Sequence, residues 1–173
     1  MKHPTRIQKL WKSLGIPADY AEAWHMPLQH EAKVLVPIGR NPDGRLIKLA
    51  PGAAAAWRRM KTAAAEDRIE LLPISGFRRI TRQAQIVREK LLAGQPIRDI
   101  LRTVAAPGCS EHHTGRALDI GSPDDPDLDE HFAQTPAFHW LKKNATRFGF
   151  HLSYPPHNRH GIGYEPWHWC WQS

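Results

Sequence analysis

The sequence has few cysteines and no long apolar run, and each absence excludes a class of protein. Two cysteines, Cys109 and Cys170, are too few for a disulfide framework in a chain of 173 residues. No stretch approaches the roughly 18 apolar residues of a transmembrane helix, so we expect no membrane span. The basic start lacks the apolar core and cleavage site of a signal peptide. Location therefore stays open: cytoplasmic by default, periplasmic or cell-wall if a leader has been removed.

The chain is also short of acidic residues, and its formal net charge is +7. A basic surface indicates an anionic partner such as nucleic acid, a membrane surface or an acidic polymer. The basic residues are spread along the chain, however, without the aromatic interleaving or reader motif of a nucleic-acid-binding protein. We therefore expect no nucleic-acid partner.

The length and the periodicity of apolar residues predict a single domain over residues 1–173. Helices and strands follow one another without regular alternation, which favours an α+β fold with a small central antiparallel sheet flanked by helices. Residues 40–44 carry a strong turn signal. The predicted helices are 4–14, 52–66, 79–93, 96–104 and 136–149, and the predicted strands are 32–38, 45–49, 69–74, 116–121, 150–154 and 167–171.

Two short segments, 110–119 (SEHHTGRALD) and 164–169 (YEPWHW), concentrate residues that bind metals. Zinc takes three or four nitrogen, oxygen or sulfur ligands in tetrahedral geometry, and a catalytic site keeps one position for water. His112, Asp119 and His168 supply such a set from parts of the chain that only the fold brings together.

Strand alternation helps to choose among these residues. Asp119 lies between Leu118 and Ile120 on a strand that reads as buried, and a buried carboxylate needs a charge partner or a metal. On the last strand His168 faces away from the neighbouring tryptophans. Taken singly, each residue also has a structural interpretation, as a packed histidine, a salt-bridged aspartate or a loop histidine. The prediction depends on the joint arrangement.

That arrangement resembles the D-alanyl-D-alanine metallopeptidases of the VanX and VanY type, through S-x-H-x-x-G-x-A-x-D followed by E-x-W-H. The segments 75–83 (SGFR…Q), 135–150 (T-x-x-x-x-W-L-x-x-N-A-x-x-F-G-F) and 154–155 (YP) match further motifs of that family. The resemblance covers about residues 70–171, the motif-bearing core, and implies the zinc fold shared by D,D-peptidases and hedgehog domains. Residues 1–65 match no motif, and we expect them to pack on the core and shape one side of the cleft.

The resemblance implies one zinc ion per chain with His112, Asp119 and His168 as ligands. It further implies that Glu165 is the general base for the attacking water and that Arg78 stabilises the oxyanion. The chemistry agrees, because a carboxylate three residues before a ligand histidine can reach that water. A permanent guanidinium charge suits the charge developing on the scissile carbonyl.

A carboxypeptidase must also bind the terminal carboxylate of its substrate, and Ser110, Gln83 and Tyr154 are the candidates for this role. His113 is a further candidate beside the ligands, although an ordinary loop histidine is the stronger interpretation. The residue before Tyr154 is Ser153, where the family leads us to expect a basic side chain, so substrate preference can differ.

The resemblance implies a monomeric zinc D-alanyl-D-alanine carboxypeptidase that removes the terminal D-alanine of peptidoglycan stem peptides. Alternatives on the same site are a D-Ala-D-Ala dipeptidase, an L,D-carboxypeptidase and an L-Ala-D-Glu endopeptidase. A non-catalytic zinc-binding module, as in hedgehog domains, is disfavoured because such a site does not need Glu165. Cys109 and Cys170 are close in sequence to ligands, but the His/Asp/His set is complete without them, and buried inert thiols are expected.

Overall fold

A computed structural model describes residues 5–173, with side chains from residue 6 onward. Short 3-10 turns lie before β4 and on both sides of α6. No described helix is both long and apolar enough to cross a membrane. The helices are α1 (Thr5–Leu14), α2 (Tyr20–Ala23), α3 (Pro51–Glu66), α4 (Ile80–Leu92), α5 (Ile97–Ile100) and α6 (Pro136–Asn144). The strands are β1 (Val36–Arg40), β2 (Leu46–Leu49), β3 (Leu72–Ser75), β4 (Ala117–Gly121), β5 (Phe150–Leu152) and β6 (His168–Trp171).

Four of the strands form one antiparallel sheet in the order β3-β4-β6-β5. Strand β4 lies between two neighbours and is buried at every position. The predicted α+β class with a small antiparallel sheet is therefore confirmed.

Strands β1 and β2 form a separate antiparallel hairpin at the predicted turn. Asn41 closes this turn, because its side-chain oxygen accepts the N–H of Arg45 at 2.8 Å and its carbonyl accepts that of Gly44 at 2.8 Å. The hairpin is tied to the segment after β3 by the Phe77 N–H, which donates to the Lys48 carbonyl at 2.9 Å. It therefore stands beside the sheet.

The two faces of the sheet meet different surroundings. Leu118, Ile120 and Trp169 point into an apolar core shared with α3 and α6. A second apolar cluster, from α1, α2, α4 and α5, includes Tyr154, whose ring lies 4.8 Å from that of His168 on the opposite face. Burial of apolar area on one face leaves the other face free to carry polar residues.

Several element boundaries differ from the sequence predictions. The first helix is observed as α1, with Pro4 outside the described residues. The strand expected from residue 32 begins at Val36, because the N–H of Ala32 instead binds the carbonyl of His113 at 2.8 Å. The strand expected from Ile69 begins at Leu72, because the Ile69 N–H closes the end of α3. The helix expected over 96–104 is confined to α5, and α6 gives way to a 3-10 turn after Asn144.

Two glycines with the same left-handed φ of +82° offer a matched test of packing. A Cβ at Gly149 would lie 2.7 Å from the Gln172 carbonyl, whereas one at Gly94 would meet nothing within 4 Å. We expect Gly94→Ala to lower the free energy of unfolding by about 1 kcal/mol, the cost of a left-handed L-residue. Gly149→Ala should lose about 1–3 kcal/mol more through overpacking. Urea-induced unfolding measures the free energy of unfolding of both variants. Equal losses would contradict the close approach of the chain at Gly149.

Candidate metal centre and active site

Asp119 and His168 face each other across β4 and β6. The antiparallel register pairs these two residues directly, and it pairs Asp119 with Ser75 of β3 on the other side. Because side chains alternate along a strand, both point away from the apolar face that carries Leu118 and Trp169. The register alone therefore brings a carboxylate and an imidazole together.

His112 reaches the same place from the 3-10 turn Glu111–Thr114. Gly115 ends this turn with a φ of +66°, and a Cβ there would lie 2.9 Å from the backbone nitrogen of Ala50. This close approach explains the glycine of the motif. The turn is fixed to the neighbouring loop by the Arg78 N–H, which donates to the His112 carbonyl at 3.1 Å.

The three side chains form a buried cluster whose potential ligand atoms all lie within 4.8 Å of one another. His112 Nε2 lies 3.3 Å from Asp119 Oδ2, and His168 Nδ1 lies 3.1 Å from Asp119 Oδ1. The two imidazole rings are nearly perpendicular, at 85°. Two nitrogens and an oxygen thus converge on one point, as a tetrahedral zinc site requires.

Hydrogen bonds on the far side of each ring select the nitrogen that faces the cluster. His112 Nδ1 lies 2.7 Å from the Gly76 carbonyl, which can only accept, so this nitrogen carries the proton. His168 Nε2 lies 2.9 Å from Glu111 Oε2 and donates to it. His112 Nε2 and His168 Nδ1 are left to face Asp119. Fixed ring orientations of this kind are usual for metal ligands, so the residues fit zinc.

The charges of the cluster favour a cation. Burial raises the pKa of Asp119, but the two imidazoles outweigh burial and hold this pKa well below its usual range. Burial lowers the pKa of His168, but Asp119 and Glu111 outweigh it and raise this pKa to about 10. The carboxylates are therefore ionised, and positive charge is stabilised between them.

Glu111 is a site residue that sequence reasoning missed. Its carboxylate accepts hydrogen bonds from His168 Nε2 at 2.9 Å and from the Ser153 hydroxyl at 2.6 Å. Burial acts to raise its pKa, but these hydrogen bonds outweigh burial and lower it to about 2. The available signal was its position next to His112, since a histidine ligand commonly donates its second N–H to a carboxylate.

Glu165 stands beside the cluster at the end of the loop before β6. Its Oε2 lies 3.7 Å from His168 Nδ1, and its side chain is 16% exposed to the cleft. The loop is held by two backbone bonds: Glu165 N–H donates to the Tyr154 carbonyl, and His168 N–H donates to the Glu165 carbonyl, both at 3.1 Å. Burial raises the pKa of Glu165 to about 7, against the opposing effect of His168. A carboxylate in this range can exchange protons near neutral pH.

Arg78 extends its guanidinium toward the cluster from the other side. Nη2 lies 3.9 Å from Asp119 Oδ2 and donates to the Ser75 hydroxyl at 3.2 Å, and Nη1 donates to Gln83 Oε1 at 3.0 Å. The amide nitrogen of Gln83 donates to the Ala105 carbonyl at 2.8 Å. Both ends of the Gln83 amide are thus engaged within the protein, and this side chain orients Arg78.

An open cleft of about 510 Å³ runs over the cluster. The candidates from the sequence that line it are Arg78, Gln83, Ser110, His112, Asp119, Tyr154, Glu165 and His168; His113, the further candidate, does not. The convergence of these residues gives one continuous surface on which a peptide could be bound and hydrolysed.

His113 and the two cysteines belong to the support of the site. The Gly108 N–H donates to His113 Nε2 at 3.1 Å, so its Nδ1 carries the proton and donates to the Arg78 carbonyl at 2.6 Å. His113 thereby holds the backbone of Arg78. Burial raises the pKa of Cys109 to about 12 and also raises that of Cys170, and both cysteines are free and buried. Neither belongs to the metal cluster found among the described residues.

The chain is similar to several known proteins. The sequence model of the VanY family, described as D-alanyl-D-alanine carboxypeptidase, matches residues 46–173. YodJ of Bacillus subtilis (strain 168), named as a carboxypeptidase, is 40% identical over 121 residues. This match spans 67% of the chain but only 43% of YodJ, less than half of that relative.

Solved structures share the fold. The LdcB LD-carboxypeptidase is 32% identical with a TM-score of 0.74, over 84% of this chain and 71% of that one. A variant of the D,D-pentapeptidase VanY from a VanB-type resistance cassette, in complex with Zn(II), is 25% identical with a TM-score of 0.63, over 86% and 88% of the two chains.

The match to the VanY family covers most of the chain and contains the whole metal cluster and every residue of the cleft singled out above. The antiparallel sheet that carries the cluster is also the fold of the solved relatives. The chain therefore belongs to the VanY family of D-alanyl-D-alanine carboxypeptidases.

Proposed function

We propose that the protein is a zinc-dependent carboxypeptidase that removes the terminal D-alanine of peptidoglycan stem peptides. One observation carries the proposal: His112, Asp119 and His168 converge in a buried cluster with Glu165 beside it in an open cleft. A purely structural site has no use for that carboxylate. Membership of the VanY family, described as D-alanyl-D-alanine carboxypeptidase, supports a substrate that ends in D-alanine.

His112 Nε2, a carboxylate oxygen of Asp119 and His168 Nδ1 would hold the zinc ion, one per chain. When bound, zinc supplies a Lewis acid that acidifies water and polarises a carbonyl group. The residues contribute position and charge. Gly76 and Glu111 hold the two rings by their second nitrogens, so the donor atoms need little rearrangement on binding.

Glu165 is the proposed general base. Its carboxylate takes the proton of the attacking water and holds it until the amine of the departing D-alanine accepts it. This requires a group that both binds and releases a proton at the same pH, and the partial burial of Glu165 favours that behaviour.

Arg78 is the proposed stabiliser of the developing negative charge on the scissile carbonyl. Ser75 and Gln83 orient its guanidinium before substrate arrives, so little reorganisation is needed during the reaction. We assign Gln83 to this positioning role. Ser110 and Tyr154, which also line the cleft, are then the proposed binders of the terminal carboxylate.

A second candidate is an L,D-carboxypeptidase acting on tetrapeptides. It is supported by the similarity to LdcB, which is named as an LD-carboxypeptidase. The same four residues, His112, Asp119, His168 and Glu165, would serve either bond, so the difference must come from the walls of the cleft.

The substrate test uses zinc-loaded protein with a stem pentapeptide, a stem tetrapeptide and free D-Ala-D-Ala, with products identified by mass. Loss of one D-alanine from the pentapeptide is expected. Loss of D-alanine from the tetrapeptide would instead support the L,D activity. No product from any of the three, with zinc shown to be bound, would rule out the proposed function.

Replacement of the proposed base should separate chemistry from metal binding. We expect Glu165→Gln to bind zinc as the unmodified protein does and to lower kcat by about 10²–10⁴-fold, the usual contribution of a general base. Zinc is measured by metal analysis and kcat by D-alanine release. Glu130→Gln, an exposed glutamate lining the same cleft, is the matched control and should stay within a few-fold of the unmodified rate. Near-full activity of Glu165→Gln would disprove the assignment.

Glu111 should influence the site by raising its affinity for zinc. Glu111→Gln keeps the size of the side chain but replaces a charged acceptor for His168 Nε2 with a neutral one. We expect zinc to bind about 10–100-fold more weakly, as for other carboxylates behind metal-bound histidines. Competition with a chromogenic chelator measures this. Ser153→Ala removes the other partner of the same carboxylate and should change affinity far less; equal affinity in Glu111→Gln and the unmodified protein would refute the role.

A further inference from the structure

A second groove, of about 530 Å³, lies beside the catalytic cleft and is lined by cations. We call it the basic groove and define it by Arg45, Lys48, Arg79 and Arg82, with Arg78 shared between it and the catalytic cleft. Apolar side chains also line it, and among the described residues no aspartate or glutamate does. The groove therefore concentrates positive charge next to the site of reaction.

The basic groove is continuous with the cleft. Arg78 and Leu128 line both, whereas Ser110 and Tyr154 line the cleft alone. If the terminal carboxylate is bound at Ser110 and Tyr154, the peptide runs past the cluster and over Arg78. The residues on the amino side of the cleaved bond then enter the basic groove.

Two of the cations have no acidic partner among the described residues. Arg82 pairs with Glu89 at 3.0 Å, and Arg79 lies 4.0 Å from Glu31. In the described part of the chain, neither Arg45 nor Lys48 forms an ion pair. Such unpaired cations in a groove without carboxylates attract an anionic group.

The frame of the groove is fixed by the hairpin and β3. The Arg45 guanidinium donates to the Ile74 carbonyl at 3.3 Å, and its backbone N–H is held by Asn41. The Lys48 carbonyl accepts the N–H of Phe77, which directly precedes Arg78. The hairpin thus places both unpaired cations at a set position relative to the catalytic arginine.

We propose that the basic groove binds a carboxylate of the substrate on the amino side of the cleaved bond. The proposal rests on the proposed function and adds a substrate preference. Stem peptides carry two carboxylates in that region: the α-carboxylate of γ-linked D-glutamate, and the second carboxylate of diaminopimelate where that residue is third. An extended chain advances about 3.3–3.6 Å per residue. Both carboxylates therefore lie only a few residues along the chain from the scissile carbonyl.

Four pentapeptides and one tripeptide without a side-chain or α-carboxylate on the amino side of the cleaved bond test this preference. The pentapeptides carry D-glutamate or its α-amide at position two and diaminopimelate or lysine at position three, so they separate the two carboxylates. Diacetyl-L-lysyl-D-alanyl-D-alanine has neither. We expect each carboxylate that the groove binds to raise kcat/KM by about 2–5-fold, the effect of an exposed ion pair. The preference should weaken with added salt.

Arg45→Gln/Lys48→Gln should abolish the preference and leave kcat/KM for diacetyl-L-lysyl-D-alanyl-D-alanine within about twofold of that of the unmodified protein. Arg45→Lys/Lys48→Arg keeps the charge and should keep the preference. Lys61→Gln/Lys142→Gln removes the same charge from exposed positions outside the groove and should change nothing. Thermal unfolding confirms that each variant is folded.

The outcomes separate the two proposals. If Arg45→Gln/Lys48→Gln slowed all five substrates equally, the groove would bind the terminal carboxylate or act at long range, and the inference would be overturned. The absence of any preference in the unmodified protein would overturn it as well. If the zinc-loaded protein cleaves none of them, the proposed function fails. The groove is then still tested by calorimetric binding of acidic against amidated peptides, where equal affinities would overturn it.

Discussion

The direct pairing of Asp119 with His168 across β4 and β6 is the constraint on which the site depends. A slip of one residue in this register would turn Asp119 into the apolar core and bring Leu118 to the polar face. The core opposes such a slip, because Leu118, Ile120 and Trp169 are all buried on that side. Packing on one face of the sheet therefore specifies the metal cluster on the other.

Burying this cluster is costly unless its charges are compensated. Asp119 is 3% exposed and His168 is equally buried, and a buried carboxylate without partners would be strongly destabilising. Here two imidazoles and Arg78 surround Asp119, and Glu111 accepts the outer proton of His168. The hydrogen bonds that make burial tolerable also orient the rings for a metal, so stability and function share the same contacts.

Local patterns in the sequence predicted much of the fold, and the resemblance of two motifs to a known family indicated the members of the cluster. The apolar periodicity of α1, α3 and α4 and the alternation of β4 and β6 are local properties, and the spacing of His112, Asp119 and Glu165 lies within two motifs. The features that the sequence did not predict depend on contacts between distant segments. Glu111 binds a histidine 57 positions away, and Gln83 is occupied by Arg78 and Ala105. The start of β1 was misplaced for the same reason.

The proposed determinants of specificity lie outside the cluster. Relatives of the same fold are named as an LD-carboxypeptidase and as a D,D-pentapeptidase, so the fold is compatible with either bond. Arg78 is the one proposed catalytic residue that lines both the cleft and the basic groove. The hairpin that carries Arg45 and Lys48 is hydrogen-bonded to the segment leading into Arg78. If the basic groove binds substrate as proposed, changes in the length or charge of this hairpin would alter substrate choice while the register of β4 and β6, and with it the metal cluster, stays intact.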